Sequence, residues 1–539
     1  MDDQDVTVDT SAGPRRPEIR SRVTPWMVFT VLAIAWVIFI AFTTPNFGGG
    51  DAFVFRDAGC NCAAGHGLVS DSVPTDGALI PPRIFAAYTP GTPLLFAPAA
   101  RLFGCNSYTD TYYNFFLLVL VSIFTLWLYL GFEDRPGWRL GAALLLGMTL
   151  PGGLFLTDLD RPEAIGLTIA LPLLLLWRRS KGSLVKSLLL GCCGVLFLVH
   201  PFLGIVEFLL FLLLLLWTPT QRNRLRIVVA GFLLTVLTVA ACALYLQYLD
   251  PTAIPRFLGH ALGAGTGAGA VLKGPHTAAI HSNLLHNYVE AGSKYFSTRN
   301  ILTSSPLLAL LGCFAIIMLF AVRSRQRGWN DVAILQTGCL FCILFLFPAA
   351  VFLPQRNYFA ASSVLLLAMI TMEGYSLSCR LKRTGAPMYV LLIVAFFSLP
   401  IFSLHLIAAC ESRASYLRAS EQAARVKQIF EAQGEPQPRI LVDPLHFFLY
   451  KPYFRYLYNW EYLRPDESTA GFQGLVRCYT GELAFRRSEL GWKPPFDRNN
   501  WKLIDGDQAV ERITLFGHVI QRRNWTWACD IYERRDAEP

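Results

Sequence analysis

Runs of about eighteen or more apolar residues recur along this 539-residue chain, and they limit its fold more than any other feature. A helix of that length crosses a hydrocarbon core of about 30 Å, and inside such a core the backbone can satisfy its polar groups only as helix or closed barrel. About eleven spans are legible, near 26–44, 112–131, 139–156, 162–177, 184–199, 202–217, 227–249, 305–322, 331–350, 358–376 and 388–408. Charged residues make up 16% of the chain, against about 25% in a soluble domain. A small soluble enzyme, a disordered protein and a disulfide-knot peptide are excluded. The expected fold is a polytopic α-helical membrane protein followed by a water-soluble α/β domain.

Charge sets the orientation. Arg15, Arg16, Arg20 and Arg22 precede the first span, and Arg135 and Arg139 follow the second. Arg178, Arg179 and Lys181 follow the fourth; Arg222, Arg224 and Arg226 the sixth; Arg323, Arg325 and Arg327 the eighth; Arg380, Lys382 and Arg383 the tenth. All fall on one side in an eleven-span count. The positive-inside rule then makes the N-terminal tail, 1–25, cytoplasmic, and this also accounts for the net charge of +9 without nucleic acid. The first span is expected to stay as an anchor and not to be cleaved as a signal peptide. The transmembrane domain covers 26–408. Loops 45–111 and 250–304 and the domain 409–539 lie on the outer side.

That last domain holds 19 of the 47 basic and 18 of the 38 acidic residues, a sharp change in composition. A helix is expected over 412–433. The segments PRILVDPLHFFLY, WKLIDGD and FGHVIQRRNWTWACDIYERR read as strands. Disulfides are expected only on the outer side, as Cys478–Cys529 and as Cys105 with either Cys60 or Cys62.

The outer side also gathers acids against span ends. Asp51 and Asp57 follow the first span, Asp158 and Asp160 sit in a short turn with Arg161 and Glu163, and Glu207 lies about two turns inside the sixth span. Arg356 and Tyr358 open the tenth span. Ionisable groups so close to hydrocarbon are costly, and a functional site is the default reading. The plainer alternatives are loop acids paired with Arg56, Arg83 or Arg161, and for Glu207 a helix-packing hydrogen bond.

The run from Asp51 to Gly65-His66-Gly67-Leu68, then Tyr88-Thr89-Pro90-Gly91, resembles the first outer loop of the GT-C superfamily of integral-membrane glycosyltransferases. Asp158-Leu159-Asp160 and Arg161-Pro162-Glu163 are similar to its second acidic motif, and Arg356-Asn357-Tyr358 to a late Arg-Tyr element. The similarity is to the mannosyl- and arabinofuranosyltransferase-like members. It covers about 30–410 in topology and three short motifs in residues. Many relatives carry two adjacent acids after the first span, whereas Gly50 precedes Asp51 here, so the choice between Asp51 and Asp57 stays open.

The resemblance implies transfer of a sugar, hexose or pentose, from a polyprenyl-phosphate carrier to a glycan, lipid or protein acceptor. It implies inversion at the sugar carbon and Asp51 as base. Arg356 is a cation suited to the leaving phosphate, because guanidinium contacts phosphate bidentately. Asp158 and Asp160 are catalytic candidates that either hold a divalent cation, magnesium or manganese, or orient the acceptor. Tyr358, Arg161, Glu163, Asp57, His66, Tyr88 and Glu207 are substrate-binding candidates. The expected location is a bacterial inner (plasma) membrane, with active site and C-terminal domain outside the cytoplasm. Segment 80–104 reads either as lying along the membrane interface or as a structural cap over the bundle.

Other signals are weaker. The run GAGTGAGA at 263–270 follows no strand and reads as a flexible loop, not a dinucleotide site. His260, His276, His281 and His286 have no regular metal spacing. His200-Pro201 reads as a tight turn. No Walker, nucleophile-elbow or HExxH motif is present. The competing function is a transporter of a polar or lipid-linked solute. Against it, internal repeats are not evident, and the polar residues cluster at one face.

Overall fold

The computed structural model describes residues 50–70, 83–84, 89–114, 162–217, 223–255, 416–442, 446–459, 471–478, 498–506, 512–515, 518–522 and 529–535, with a few isolated positions beside them. The spans expected near 26–44, 139–156 and from 305 to 408 lie outside the described residues, as does most of loop 250–304.

Four apolar helices follow one another: α3 (Pro162–Arg179), α4 (Ser183–Val199), α5 (Pro201–Trp217) and α6 (Arg224–Leu249). Their bounds match the spans read at 162–177, 184–199, 202–217 and 227–249 within a few residues. Helix α6, 26 residues long with a mean hydropathy of 2.6, is long and apolar enough to cross a membrane. It is apolar nearly all round, with Phe232, Leu237, Leu244 and Tyr248 all exposed, as a helix in lipid requires.

Small residues bring α4 and α6 together. Gly191 faces Leu234 and Gly231 faces Leu190, while Gly194 lies against the Thr235 backbone. The Thr235 hydroxyl donates to the Leu190 carbonyl of the neighbouring helix at 2.9 Å. Close approach and cross-helix bonding of this kind are what would hold two helices together in lipid, where meeting brings no hydrophobic gain. Trp177 of α3 stacks on Phe211 of α5 at 4.3 Å.

The turn between α4 and α5 follows from Pro201, which biases His200 away from helical geometry; His200 is extended at φ −151°. Its Nδ1 accepts the Leu203 N–H at 3.3 Å, satisfying one of the free donors at the start of α5.

Within loop 45–111 the described residues form a cap, which the glycine-rich start of the loop did not suggest. Helix α1 (Gly50–Ala63) leads to a short hairpin, β1 (Val69–Ser70) with β2 (Arg83–Ile84), and then to helix α2 (Gly91–Phe103). At 13 residues α2 is too short to span. Thr92, Pro93, Phe96, Ala97 and Ala100 are buried, and Leu94, Leu95, Leu102 and Phe103 are exposed. That division suits a helix lying along an interface. A further helix begins at 107, five residues before hydropathy places the second span. Asn106 caps it, its Oδ1 accepting the N–H groups of Tyr108 and Thr109 at 3.0 Å each.

The C-terminal part is α/β, in keeping with its sequence. A helix over 416–432 buries Ala419, Ala423, Val426 and Phe430, spaced three and four apart. It lies on a five-stranded sheet of order β4-β3-β5-β9-β6. Strands β3 (Arg439–Val442), β4 (Tyr456–Asn459) and β5 (Gly474–Cys478) are parallel neighbours; β9 (Cys529–Arg534) pairs antiparallel with β5 and with β6 (Trp501–Gly506). Strands β7 (Arg512–Leu515) and β8 (His518–Arg522) form a separate antiparallel pair.

Two strand expectations need correction. Among the described residues of PRILVDPLHFFLY only Arg439–Val442 is strand, and Phe447–Tyr450 is a helical turn. All four of its residues are buried, so its apolar run reflects burial on every side, which periodicity cannot tell from a buried strand. The long segment 516–535 is two strands in different sheets. Cys529 is disulfide-bonded and stands opposite Cys478 in the β5–β9 ladder.

Candidate active site

Helix α1 carries Asp51 in its first turn, followed by Asp57 six residues later. The helix ends at a glycine cap. Gly65 has φ +84°, its N–H bonds the Cys62 carbonyl at 3.1 Å, and the His66 N–H bonds the Asn61 carbonyl at 2.9 Å. This double bond pattern requires a left-handed residue after the helix, and that gives Gly65-His66-Gly67 a local structural reason. The His66 side chain is exposed.

Four residues fix α1 in place, at positions 56, 57, 60 and 61. Arg56 is fully buried; its Nε lies 2.9 Å from Asp110 Oδ1, and a terminal nitrogen donates to Asn114 Oδ1 at 3.1 Å. Its guanidinium lies over both rings of the edge-to-face pair Phe96 and Tyr113, at 4.4 and 4.7 Å. A guanidinium can reach Asp110 and Asn114 through separate nitrogens while lying over the rings, which a single ammonium could not do. Asn114 in turn donates to Asp110 Oδ2 at 3.2 Å, one helical turn away. Cys60 forms the disulfide with Cys105, so of the two cysteines expected to pair with it, Cys60 does and Cys62 is free.

Asp57 is also fully buried. Lys451, from the C-terminal domain, donates to its Oδ1 at 2.7 Å, and the Ser70 hydroxyl donates to its Oδ2 at 2.9 Å. Lys451 donates further to Asn61 Oδ1 and to the Arg455 carbonyl, both at 3.2 Å. Asn61 donates to the Val69 carbonyl at 2.9 Å, joining the helix to the hairpin. Beside this pair, Phe448 approaches Phe96 at 6.3 Å, and Tyr416 meets Tyr108 edge-on at 5.3 Å. The outer loop and the C-terminal domain therefore share one continuous core. Burial pushes the Tyr416 hydroxyl up to about 12, against a smaller lowering by its hydrogen bond with Ser107.

The cap sits on the bundle at the end where α4 stops. The hydroxyls of Thr89 and Thr92 both donate to the Val199 carbonyl at 3.1 Å. Gly91 lies so close to Leu198 that a Cβ there would be 2.6 Å from the carbonyl oxygen. Tyr88-Thr89-Pro90-Gly91 thus owes its threonine and glycine to docking on a helix end. Glu207, on α5, is buried, and its Oε1 has no hydrogen-bond partner among the described residues.

The other expected site residues are placed only in part. Asp51 and Glu163 are helical, in the first turns of α1 and α3. Tyr88, Asp158, Asp160, Arg161, Arg356 and Tyr358 lie outside the described residues. Among the described residues no three His, Cys, Asp or Glu side chains gather into a metal site. Asp57 and Asp110 are each matched by a basic side chain, not by further acids.

Sequence reasoning missed Asp110, Asn114, Asn61 and Lys451. Asp110 and Asn114 carried a usable signal, since two polar residues one turn apart at the head of an apolar span face the same way. Lys451, 394 residues from Asp57, carried none.

No protein-family model and no curated protein matches the sequence. Solved structures do. The chain is similar to ArnT from Cupriavidus metallidurans. For ArnT bound to undecaprenyl phosphate the TM-score is 0.49 at 12% identity, covering 95% of this chain and 98% of that one. For ArnT in the apo state it is 0.49 at 11% identity, covering 94% and 97%.

Proposed function

We propose that the protein is a glycosyltransferase of the GT-C kind, moving a sugar from a polyprenyl-phosphate carrier to an acceptor hydroxyl at the outer membrane face. The observation that carries this reading is α1 itself. The helix that carries Asp51 in its first turn is held by a buried Arg56 pair, a buried Asp57 pair and a disulfide. Holding a reacting group in one geometry is what transfer between two bound substrates needs.

In the proposed step the acceptor oxygen attacks the anomeric carbon. The bond from that carbon to the phosphate oxygen breaks, the electron pair leaves with the phosphate, and the hydroxyl proton passes to the Asp51 carboxylate. Position in the first turn of a helix favours the ionised carboxylate that a base requires. Because Asp57 is committed to Lys451 and Ser70, the base is assigned to Asp51. Arg356 is assigned to the leaving phosphate, with Tyr358, Tyr88, Arg161 and Glu163 as contacts to the substrates. Asp158 and Asp160 are assigned to the acceptor or to a divalent cation that would share the phosphate charge. Aromatic residues of the C-terminal domain are assigned to acceptor recognition.

The test is transfer by purified protein in detergent, with a panel of radiolabelled polyprenyl-phosphate sugars and a cell-envelope acceptor. Wild type should move label, and Asp51→Asn should lose about 10²–10⁴-fold of that rate with normal expression. Undiminished activity in Asp51→Asn would remove the assignment of the base. No transfer from any donor by folded wild type would overturn the function and turn attention to flux assays in liposomes.

A further inference from the structure

We infer that Lys451 is a positioning residue of this centre: the C-terminal domain holds α1, and with it Asp51, in place through the Lys451–Asp57 pair. The inference rests on the proposed transferase reading for its consequence and on the geometry alone for its mechanism.

Three observations point the same way. The pair is removed from water, with side-chain exposures of 7% for Lys451 and 0% for Asp57. It is saturated: the ammonium is shared among Asp57, Asn61 and the Arg455 carbonyl, leaving none of its three hydrogens for a donor phosphate. And it grips two residues of α1 one turn apart, so it fixes the rotation of the helix as well as its distance. Lys451 follows directly on the buried turn Phe447–Tyr450 and precedes β4, so its backbone is fixed by the sheet. A cation on a rigid element can orient what it binds, where one on a free loop would follow it. The Arg56 pair and the disulfide tie α1 to the outer loop and the head of the second span. Only the Lys451 contact brings the C-terminal domain's own charge to it among the described residues.

Two measurements test this, one of which needs no activity. Hydrogen exchange across 50–63, read by mass spectrometry on the full-length protein, should be at least tenfold faster in Lys451→Gln than in wild type. Gln can still donate to Asp57 but carries no charge. Unchanged exchange would overturn the inference whatever the protein catalyses. In the transfer assay Lys451→Gln should lower kcat at least tenfold with KM for the lipid-linked donor within twofold. A raised KM at unchanged kcat would mean that Lys451 contacts the donor, and would overturn the positioning role.

Should either single variant fold poorly, Asp57→Asn/Lys451→Gln replaces the ion pair by an amide pair and leaves no buried charge unmatched. If the two residues act through each other, the double variant should be no slower than the worse single one. Additive losses would show independent roles and sink the inference. A wild-type protein without transferase activity would leave the exchange result standing, so the two failures are separable.

Discussion

Arg56 looked, in the sequence, like an ordinary loop cation available to any nearby acid, and its pairing with Asp110 instead of Asp57 could not be read there. What decides the matter is the pair of rings it lies over, Phe96 and Tyr113, 40 and 57 positions away in the chain. Removing the cation should be costly, because the fully buried Asp110 would lose its opposite charge. Breaking a buried ion pair from one side costs about 3–5 kcal/mol. Arg56→Met should therefore lower the unfolding temperature in detergent markedly, and Arg56→Lys should not rescue it, since one ammonium cannot replace the separate guanidinium contacts to Asp110 and Asn114. Arg56→Met/Asp110→Asn, which removes both charges, should recover more than half of the loss. Melting of Arg56→Met at the wild-type temperature would refute the account. The disulfide was legible to within two candidates, because compartment and spacing limit the choice. The selection of Cys60 over Cys62 came only with the face that α1 turns toward Cys105.

Elements were legible in proportion to how far local hydropathy controls them. The bounds of α3 to α6 follow from apolar runs cut off by Arg178, Pro201 and Arg224, and nothing tertiary overrides them. Helix α1 was not legible, because its composition is mixed and its stability comes from the contacts of Arg56, Asp57, Cys60 and Asn61. The turn Phe447–Tyr450 failed for the converse reason, being too apolar for its period to be seen. Between elements, the glycines of α4 and α6 make a prediction. A Cβ at Gly231 would fall inside contact distance of the Leu190 side chain, and at Gly191 it would lie 2.7 Å from Leu234 Cβ. Gly231→Val must push the helices apart and stretch the Thr235–Leu190 bond. Overpacking of this kind costs about 1–3 kcal/mol. Limited proteolysis in detergent should cut the variant faster at the 217–224 loop, while Gly182→Ala, whose Cβ would come no closer than an ordinary 3.9 Å contact with Val185, should behave as wild type. Equal cleavage of Gly231→Val and wild type would show that the crossing tolerates the side chain.

At the scale of the whole molecule the point at issue is whether the C-terminal domain is an appendage or part of one body with the membrane cap. A change of composition near residue 411 suggests two units, yet the buried cluster runs unbroken from Phe96 and Tyr113 to Phe430 and Phe448. Tyr416 sits in that seam, 6% exposed, with its ring against Tyr108. Burial raises its hydroxyl from the ordinary 10.0 to about 12. The docked state thus holds the phenol proton more tightly than the undocked chain does. The stability it contributes is complete below pH 10 and is lost as pH rises from there through about 12. Two pH units correspond to about 2–3 kcal/mol at most, shared with the neighbouring Tyr108, whose hydroxyl burial also raises. Between pH 10 and about 12 the domain should therefore loosen from the cap before the bundle unfolds. Exchange across 416–432 and 107–114 should rise together with the tyrosinate absorbance. Tyr416→Phe, which cannot ionise, should flatten the upper part of that rise. If the two segments loosen at different pH values, or if Tyr416→Phe leaves the profile unchanged, the seam is not held as one cooperative contact, and the two parts of the chain are better described as separate bodies joined by the Lys451–Asp57 pair alone.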